Sequence, residues 1–182
     1  MDKILIPLAE GLEEIEAITC IDVLRRAGIK VITATLTAEL QVKGSHKIVI
    51  GADVCLPEIT ADQLAGIVLP GGMPGANNLK NNQQLIKLIQ QVNQKQGLLA
   101  AICAAPIVLE EAGILKNRMA TSYPGFEREM ASCIYRQERV VVDDNLITGR
   151  GPGVAIEFAL EIVQYLLDEE QVTDLKKQML IK

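Results

Sequence analysis

The stretch Leu98-Leu99-Ala100-Ala101-Ile102-Cys103-Ala104-Ala105-Pro106 joins a short apolar run to a helix start through one cysteine. This pattern is typical of a sharp strand-to-helix turn, and its small-x-Cys-x-small spacing is similar to the Gly-x-Ser-x-Gly nucleophile elbow of serine hydrolases. Such a turn places Cys103 at the positive end of a helix dipole beside free backbone N–H groups, which favours the reactive thiolate. A second interpretation stays open from this segment alone, because free cysteine is often a small core residue.

Runs that predict strands alternate with runs that predict helices along the chain. The predicted strands are 3–9, 30–36, 66–69, 97–102, 119–122, 139–143 and 146–148, and the predicted helices are 13–27, 82–96, 106–113, 152–167 and 168–180. Residues 40–56 predict a hairpin broken by glycines, and Ile15 and Ile18 mark one apolar face of the first helix. We therefore predict one α/β domain over residues 1–182, with a mostly parallel sheet and helices on both faces.

Ligands bind such sheets at the carboxyl ends of the strands, at a topological switch point. This rule selects three loops, 9–13, 70–75 and 103–106. Glu16 stands one turn inside the helix that follows the first loop, and either projects toward the crevice or is a solvated helix acid. The second loop has three glycines in the five residues 71–75, which favours either an anion-binding nest or a tight turn.

Composition limits the classes of function. The net charge of −5 and the lack of a basic block argue against a nucleic-acid surface. No apolar run is long enough to predict a membrane span, and the start at Met1 lacks signal-peptide features, so a cytoplasmic protein is expected. The four cysteines form no C-x-x-C pair and the chain has one histidine, so we expect free thiols, no bound metal and no cofactor.

Several motifs together resemble the ThiJ/PfpI superfamily, in the branch of the Parkinsonism-associated protein deglycase and the bacterial YajL-type proteins. The matching blocks run in order from the first strand to the last large helix: Glu13-Glu14-Ile15-Glu16, Arg25-Arg26-Ala27-Gly28-Ile29-Lys30-Val31, Val68-Leu69-Pro70-Gly71-Gly72, Gly75-Ala76-Asn77-Asn78-Leu79, Ala100-Ala101-Ile102-Cys103-Ala104-Ala105-Pro106, Arg150-Gly151-Pro152-Gly153 and Glu157-Phe158-Ala159-Leu160. The resemblance implies a flavodoxin-like three-layer sandwich and a homodimer.

The resemblance also implies roles for individual positions. Cys103 matches the nucleophilic, oxidation-prone cysteine of the family, and Glu16 matches the acid that hydrogen-bonds it. Gly72 and Ala104 match the positions whose amides form an oxyanion site. A glutamate buried against a thiolate should have a raised pKa, because burial and a like charge both oppose its ionisation.

One position departs from the family pattern. Tyr123 stands where better-known members carry a histidine, and a phenol is a poor general base at neutral pH, so glyoxalase activity should be weak. His46 is either a surface residue of the hairpin or reaches the Cys103 pocket from its own or a partner chain. Arg26 is likewise either a surface residue or part of an anionic pocket at the interface. Gly71 and Pro152 are expected to border the pocket.

The leading expectation for function is a cysteine-dependent, deglycase-type hydrolase of carbonyl and oxidative stress, acting on small carbonyl adducts or glycated proteins. A second hypothesis is a redox sensor or chaperone in which Cys103 is oxidised to a sulfinate. A third follows from the family name, a role in thiazole monophosphate biosynthesis, for which the sequence contains no phosphate-binding motif.

Overall fold

The computed structural model describes residues 3–181, so the start of the chain at Met1, which was predicted to lack signal-peptide features, lies outside the described residues. The strands are β1 (Lys3–Leu8), β2 (Val31–Thr35), β3 (Gln41–Lys43), β4 (Val49–Gly51), β5 (Val54–Cys55), β6 (Leu64–Leu69), β7 (Leu98–Ile102), β8 (Met119–Ala120), β9 (Ile134–Tyr135), β10 (Val140–Asp143) and β11 (Leu146–Gly149). The α-helices are α1 (Glu14–Arg26), α2 (Gly75–Lys80), α3 (Gln83–Gln94), α4 (Pro106–Glu111), α5 (Ala155–Leu166) and α6 (Glu169–Gln178).

Seven of the strands form one sheet in the order β10-β11-β7-β6-β1-β2-β5. Six run parallel, and only the edge strand β10 is antiparallel to its neighbour β11. In this register Ile67 of β6 lies between Leu5 of β1 and Leu99 of β7. After β1 the chain adds β2 on one side of that strand and later adds β6 on its other side. The topological switch point of the sheet therefore lies between β1 and β6. The predicted mostly parallel α/β sandwich is confirmed.

Helices cover both faces of the sheet, because alternate strand residues point to opposite sides. On one face, Leu5, Ile67 and Leu99 belong to a core cluster with residues of α2, α3 and α4. On the other face, Ile4, Val68 and Ala100 belong to a cluster with residues of α1, α5 and α6. Burial on both faces explains why these strands read as continuous apolar runs rather than alternating ones.

Helix α1 buries a different face from the one its isoleucines suggested. Ile15 and Ile18 are 58% and 46% exposed. The buried side chains of α1 are those of Glu14, Glu16, Ala17, Cys20, Val23 and Leu24. The prediction from Ile15 and Ile18 was therefore wrong, because the inward face of this helix has two carboxylates and small residues toward its N-terminal end and the apolar Val23 and Leu24 only toward its C-terminal end.

Other differences concern short elements. Residues 40–56 form the β3–β4 hairpin as predicted, but β5 then joins the main sheet beside β2. The predicted strand 119–122 shortens to β8, which pairs with β9, a strand that the sequence did not predict. Helix α2 was also missed, since six residues are too few for a clear period. Among residues 3–181, no helix has both the length and the hydropathy that crossing a membrane requires.

Candidate active site around Cys103

Cys103 lies at the sharp turn between β7 and α4, with a backbone φ of 65°. This left-handed conformation costs a non-glycine residue about 1–2 kcal/mol, so the surrounding structure must hold it. The Cys103 amide donates to the carbonyl of Gly149 at 2.9 Å, and its carbonyl accepts from the amide of Tyr123 at 2.8 Å. These two bonds hold the elbow that the small neighbours of Cys103 predicted.

Glu16 projects from the first turn of α1 into the same place and is fully buried. Its Oε2 accepts a hydrogen bond from the Gly71 amide at 2.8 Å. A Cβ at Gly71 would lie 2.8 Å from both the Glu16 Oε2 and the Cys103 Cβ, so only glycine lets the three residues approach one another this closely. The alternative interpretation of Glu16 as a solvated helix acid is therefore wrong.

Burial raises the pKa of Glu16 to about 7, against the opposing effects of the Gly71 amide and the Cys103 thiol, and the charge of Glu13 adds to the rise. Glu16 Oε1 makes no hydrogen bond of good geometry to any described residue. The Cys103 thiol thus affects the Glu16 carboxyl without an aligned hydrogen bond to Oε1. A carboxyl with this pKa exchanges its proton near neutral pH, which is the condition for general acid–base chemistry.

The Cys103 thiol does not ionise as easily as the turn and the helix dipole suggested. Burial raises its pKa to about 12, together with the charge of the Glu16 carboxylate and its interaction with that group. The backbone amides of Gly72 and Ala104 act in the opposite direction. Two of these causes require an ionised Glu16, so protonation of Glu16 favours the thiolate, and the two groups titrate as a coupled pair.

Gly72 and Ala104 present their amides to the Cys103 sulfur from two different loops. Gly72 has a φ of +87°, and a Cβ there would overlap the backbone of Leu12 and Glu13. The amide of Glu13 in turn donates to the Gly71 carbonyl at 2.9 Å, which ties the loop after β6 to the start of α1. The structure thus brings the amides expected for an oxyanion site next to the sulfur.

Tyr123 borders the elbow through its backbone, as described, and its side chain is 48% exposed. A Cβ at Gly151 would lie 3.1 Å from the Tyr123 ring, so the ring packs over that glycine. Pro152 opens a short 3-10 helix and lines a surface groove with Ile15 and Ile156. Tyr123 therefore adjoins Cys103, whereas Pro152 lies on a groove between α1 and α5.

His46 and Arg26 have their partners elsewhere in the chain. The His46 Nδ1 lies 3.0 Å from Glu14 Oε2, and its side chain is 68% exposed. Arg26 Nε pairs with Asp22 Oδ2 at 2.6 Å on the exposed side of α1. Within one chain, both residues are surface residues, as their simpler interpretations held.

Two residues make contacts that the sequence did not predict: Gly149 at the Cys103 elbow and Glu14 beside the hairpin. Gly149 contributes only a backbone carbonyl, which no residue pattern reveals. Glu14 looked like an ordinary acid at a helix start, but it is buried and accepts hydrogen bonds from the hairpin, including one from the His46 amide at 2.7 Å. The separation of 32 positions between Glu14 and His46 hid this pairing.

Three curated relatives align with almost the whole chain. The Drosophila melanogaster protein dj-1beta is 41% identical over 179 residues, which cover 97% of this chain and 96% of the relative. The Arabidopsis thaliana protein DJ-1 homolog B is 39% identical over 180 residues, 98% of this chain, but the chain spans only 41% of that longer relative. The Caenorhabditis elegans glutathione-independent glyoxalase DJR-1.2 is 36% identical over 177 residues, 97% of this chain and 94% of the relative.

Solved structures agree with these relatives. The crystal structure of Drosophila melanogaster DJ-1beta superposes with a TM-score of 0.95 at 41% identity and covers 100% of both chains. Oxidized Toxoplasma gondii DJ-1 superposes with a TM-score of 0.93 at 34% identity and covers 99% of this chain and 98% of its own. The model of the DJ-1/PfpI family matches residues 2–165, and with these similarities it establishes that the chain belongs to the DJ-1/PfpI family.

Proposed function

We propose that the chain is a stress-response hydrolase of the deglycase type, which releases amino or thiol groups from small carbonyl adducts through Cys103. The observation that supports this most is the proximity of a thiol, a fully buried carboxyl with a pKa of about 7, and two backbone amides at one strand-to-helix turn. Nucleophile, proton acceptor and oxyanion donors are the parts that attack on a carbonyl requires. The glyoxalase name of the C. elegans relative is in keeping with carbonyl chemistry of this kind.

For the adduct of an amine with glyoxal, the sulfur of Cys103 adds to the free carbonyl carbon. The C–S bond forms as the thiol proton passes to Glu16, and the developing oxyanion faces the amides of Gly72 and Ala104. Glu16 then returns the proton to the departing amine as the C–N bond breaks. The hydroxyl proton of the carbon that carried the amine passes to the oxyanion, which leaves an aldehyde on that carbon next to a hemithioacetal. An internal hydrogen shift gives a thioester, and water hydrolyses it to a 2-hydroxy acid and the free thiol, so the net reaction consumes one water.

Glu16 is the only residue of this site with a pKa near neutrality, so it must serve as both base and acid. Tyr123 adds no strong base where better-known members carry a histidine. We therefore propose that conversion of free 2-oxoaldehydes is slow relative to release of amines or thiols from their adducts.

The test measures amine release from a glyoxal-treated amino acid by the wild-type chain, before and after stoichiometric alkylation of Cys103 confirmed by peptide mapping. Turnover that stops on alkylation supports the proposal, whereas turnover that persists, or that never exceeds the buffer rate, contradicts it.

A second function, redox sensing through a Cys103 sulfinate, is favoured by the unpaired Glu16 Oε1, which a proton shared with a sulfinate oxygen would satisfy. A chain that turns over no adduct, yet takes up two oxygen atoms at Cys103 from peroxide ahead of its other cysteines, would have this function instead.

We also propose that two copies of the chain associate through the exposed apolar side of α1 and its neighbours. Ile15 and Ile18 on α1, Ile48 and Val49 on the hairpin, and Ile156 on α5 are each more than 40% exposed. Exposed apolar side chains gathered on one side of a protein mark an interaction surface. Sedimentation equilibrium of the wild type should give twice the mass of one chain. Substitution of Ile15 and Ile18 by Asp should reduce the measured mass to that of one chain. A monomeric wild type would contradict the proposal.

A further inference from the structure

A second cluster of chemically active side chains lies at the surface, apart from the Cys103 thiol. Glu13 and Glu14 stand at the start of α1, and His46 lies at the tip of the β3–β4 hairpin. One ligand atom from each, a carboxylate oxygen from both glutamates and Nδ1 from the histidine, lies within 4.8 Å of the other two. Two carboxylates and an imidazole are a ligand set that zinc and similar transition metals accept.

The distances between the three ligand atoms suit a small ion with tetrahedral coordination. His46 Nδ1 lies 3.0 Å from Glu14 Oε2 and 3.5 Å from Glu13 Oε2. Ligand atoms that each stand about 2 Å from a tetrahedral zinc ion are about 3.3 Å from one another. The Ser45 Oγ lies 3.1 Å from His46 Nδ1, 3.3 Å from Glu14 Oε2 and 3.4 Å from Glu13 Oε2. An ion between the three ligand atoms would therefore replace the hydrogen bonds of Ser45 as well as the direct contact of His46 with Glu14.

The fold holds the Glu14 carboxylate in the orientation that metal binding requires. Its Oε1 accepts hydrogen bonds from the backbone amides of His46 at 2.7 Å and Ile48 at 3.4 Å, which leaves Oε2 directed at the His46 ring. A Cβ at Gly44 would overlap the Glu14 carboxyl, so the glycine admits the carboxylate into the hairpin. Hydrogen bonds to the second oxygen of a ligating carboxylate are the usual support of a metal site.

Charge and access also favour a cation. The two carboxylates exceed the single positive charge that His46 carries when protonated, so the cluster retains a negative charge in either state. The side chain of His46 is 68% exposed and that of Glu13 is 14% exposed, whereas that of Glu14 is 5% exposed. Within one chain, the cluster thus has two largely buried carboxylate ligands and one exposed imidazole, and the exposed side of His46 gives an ion a path of entry.

We propose that Glu13, Glu14 and His46 bind one divalent transition metal ion of the zinc class, with the remaining coordination position taken by the neighbouring Ser45 hydroxyl or by water. The imidazole nitrogen favours zinc over magnesium or calcium, which prefer ligand sets made of oxygen. This departs from the expectation of a chain without metal, which weighed the cysteines and the single histidine but not two acids 32 and 33 residues before it.

The experiment titrates the full chain, stripped with a chelator and kept reduced, with Zn²⁺ at pH 7.5 by calorimetry. We expect one ion per chain, and Glu13→Gln and His46→Ala should each weaken binding at least about tenfold. His46 is exposed and Glu13→Gln keeps the size of the side chain, so the variants should fold, which circular dichroism checks. Glu39→Gln, which removes an exposed acid elsewhere, should bind as the wild type does.

Cobalt distinguishes this site from the thiols. Bound Co²⁺ should show visible bands without a thiolate-to-metal charge-transfer band, and Cys103→Ser should leave both the spectrum and the zinc affinity unchanged. No saturable binding by the wild type, undiminished binding in Glu13→Gln and His46→Ala, or a thiolate band that disappears in Cys103→Ser would each overturn the proposal. If the chain binds zinc as expected but does not turn over carbonyl adducts, the proposed hydrolase function fails and the metal site stands.

Discussion

Replacing Cys103 with serine should reduce the turnover of carbonyl adducts by at least about a thousandfold. Serine fits the volume and keeps the backbone of the elbow, so the Gly149 and Tyr123 hydrogen bonds persist. Its hydroxyl is a far weaker nucleophile than a thiol, and a carboxyl with a pKa of about 7 is too weak a base to ionise it. Amine release from a glyoxal adduct, followed under steady-state conditions, measures the change.

Cys133→Ser is the matched control for that substitution. Cys133 is also partly buried, and burial and the charge of Glu110 raise the pKa of its thiol. It packs against the core cluster on the opposite face of the sheet from Glu16. The control should retain the wild-type rate. Equal rates in Cys103→Ser and the wild type would remove Cys103 from the reaction.

Replacing Glu16 with glutamine should reduce turnover about a hundredfold or more and, in the same protein, accelerate alkylation of Cys103 at neutral pH. Glutamine keeps an oxygen that accepts from the Gly71 amide but cannot take or return a proton, which accounts for the lost turnover. It also removes the negative charge that raises the pKa of the thiol, so more thiolate is present at pH 7. A residue that merely held the loop in place would lower both rates together.

The same substitution should stabilise the fold above neutral pH. Glu16 has an ordinary pKa of 4.5 and a folded pKa of about 7. Because the folded value is the higher one, the stability that the protonated carboxyl provides is complete below pH 4.5 and is lost as the pH rises through 7. At pH 8 the wild type should therefore have lost about 3 kcal/mol that Glu16→Gln retains.

Urea unfolding of both proteins at pH 4.5 and pH 8 tests this effect on stability. The free energies of unfolding should diverge by about 3 kcal/mol between the two values, with the variant the more stable at pH 8. The titration of Glu14 does not affect this comparison of stabilities at pH 4.5 and pH 8. Although burial opposes it, hydrogen bonds from the side chain and backbone of His46 help to lower the pKa of Glu14 to about 2, so its contribution is lost only below pH 4.5. Parallel stabilities at both pH values would mean that Glu16 is ionised in the fold.

The architecture was predictable because its cause is local and repeated. Apolar runs such as Leu98–Ile102 can be buried only as central strands, and their alternation with helical runs leaves few other arrangements. The elbow was predictable for the same reason, since Cys103 is followed at once by small residues and Pro106. The three loops of the site followed from the rule that parallel strands end at one edge.

The parts that could not be predicted depend on groups far apart in the sequence or on backbone alone. The burial of Glu14 depends on a hairpin that begins at Gln41, and no local pattern separates it from Glu13. Ile15 and Ile18 misled the assignment of the buried face because the sequence does not distinguish an exposed isoleucine from a core isoleucine at the same helical spacing. The raised pKa of the Cys103 thiol was not predicted, because the turn and the helix dipole are visible in the sequence, whereas the burial that is the main cause of the rise is not.

The proposed chemistry of Cys103 depends most on Glu16 exchanging its proton near neutral pH beside the thiol. The direct measurement is the carboxyl ¹³C chemical shift of Glu16 as a function of pH, with the resonance assigned by its absence from Glu16→Gln. We predict a midpoint at about pH 7. A midpoint near the ordinary glutamate value of 4.5 would contradict the account, because Glu16 would then be a fixed negative charge with no proton to move.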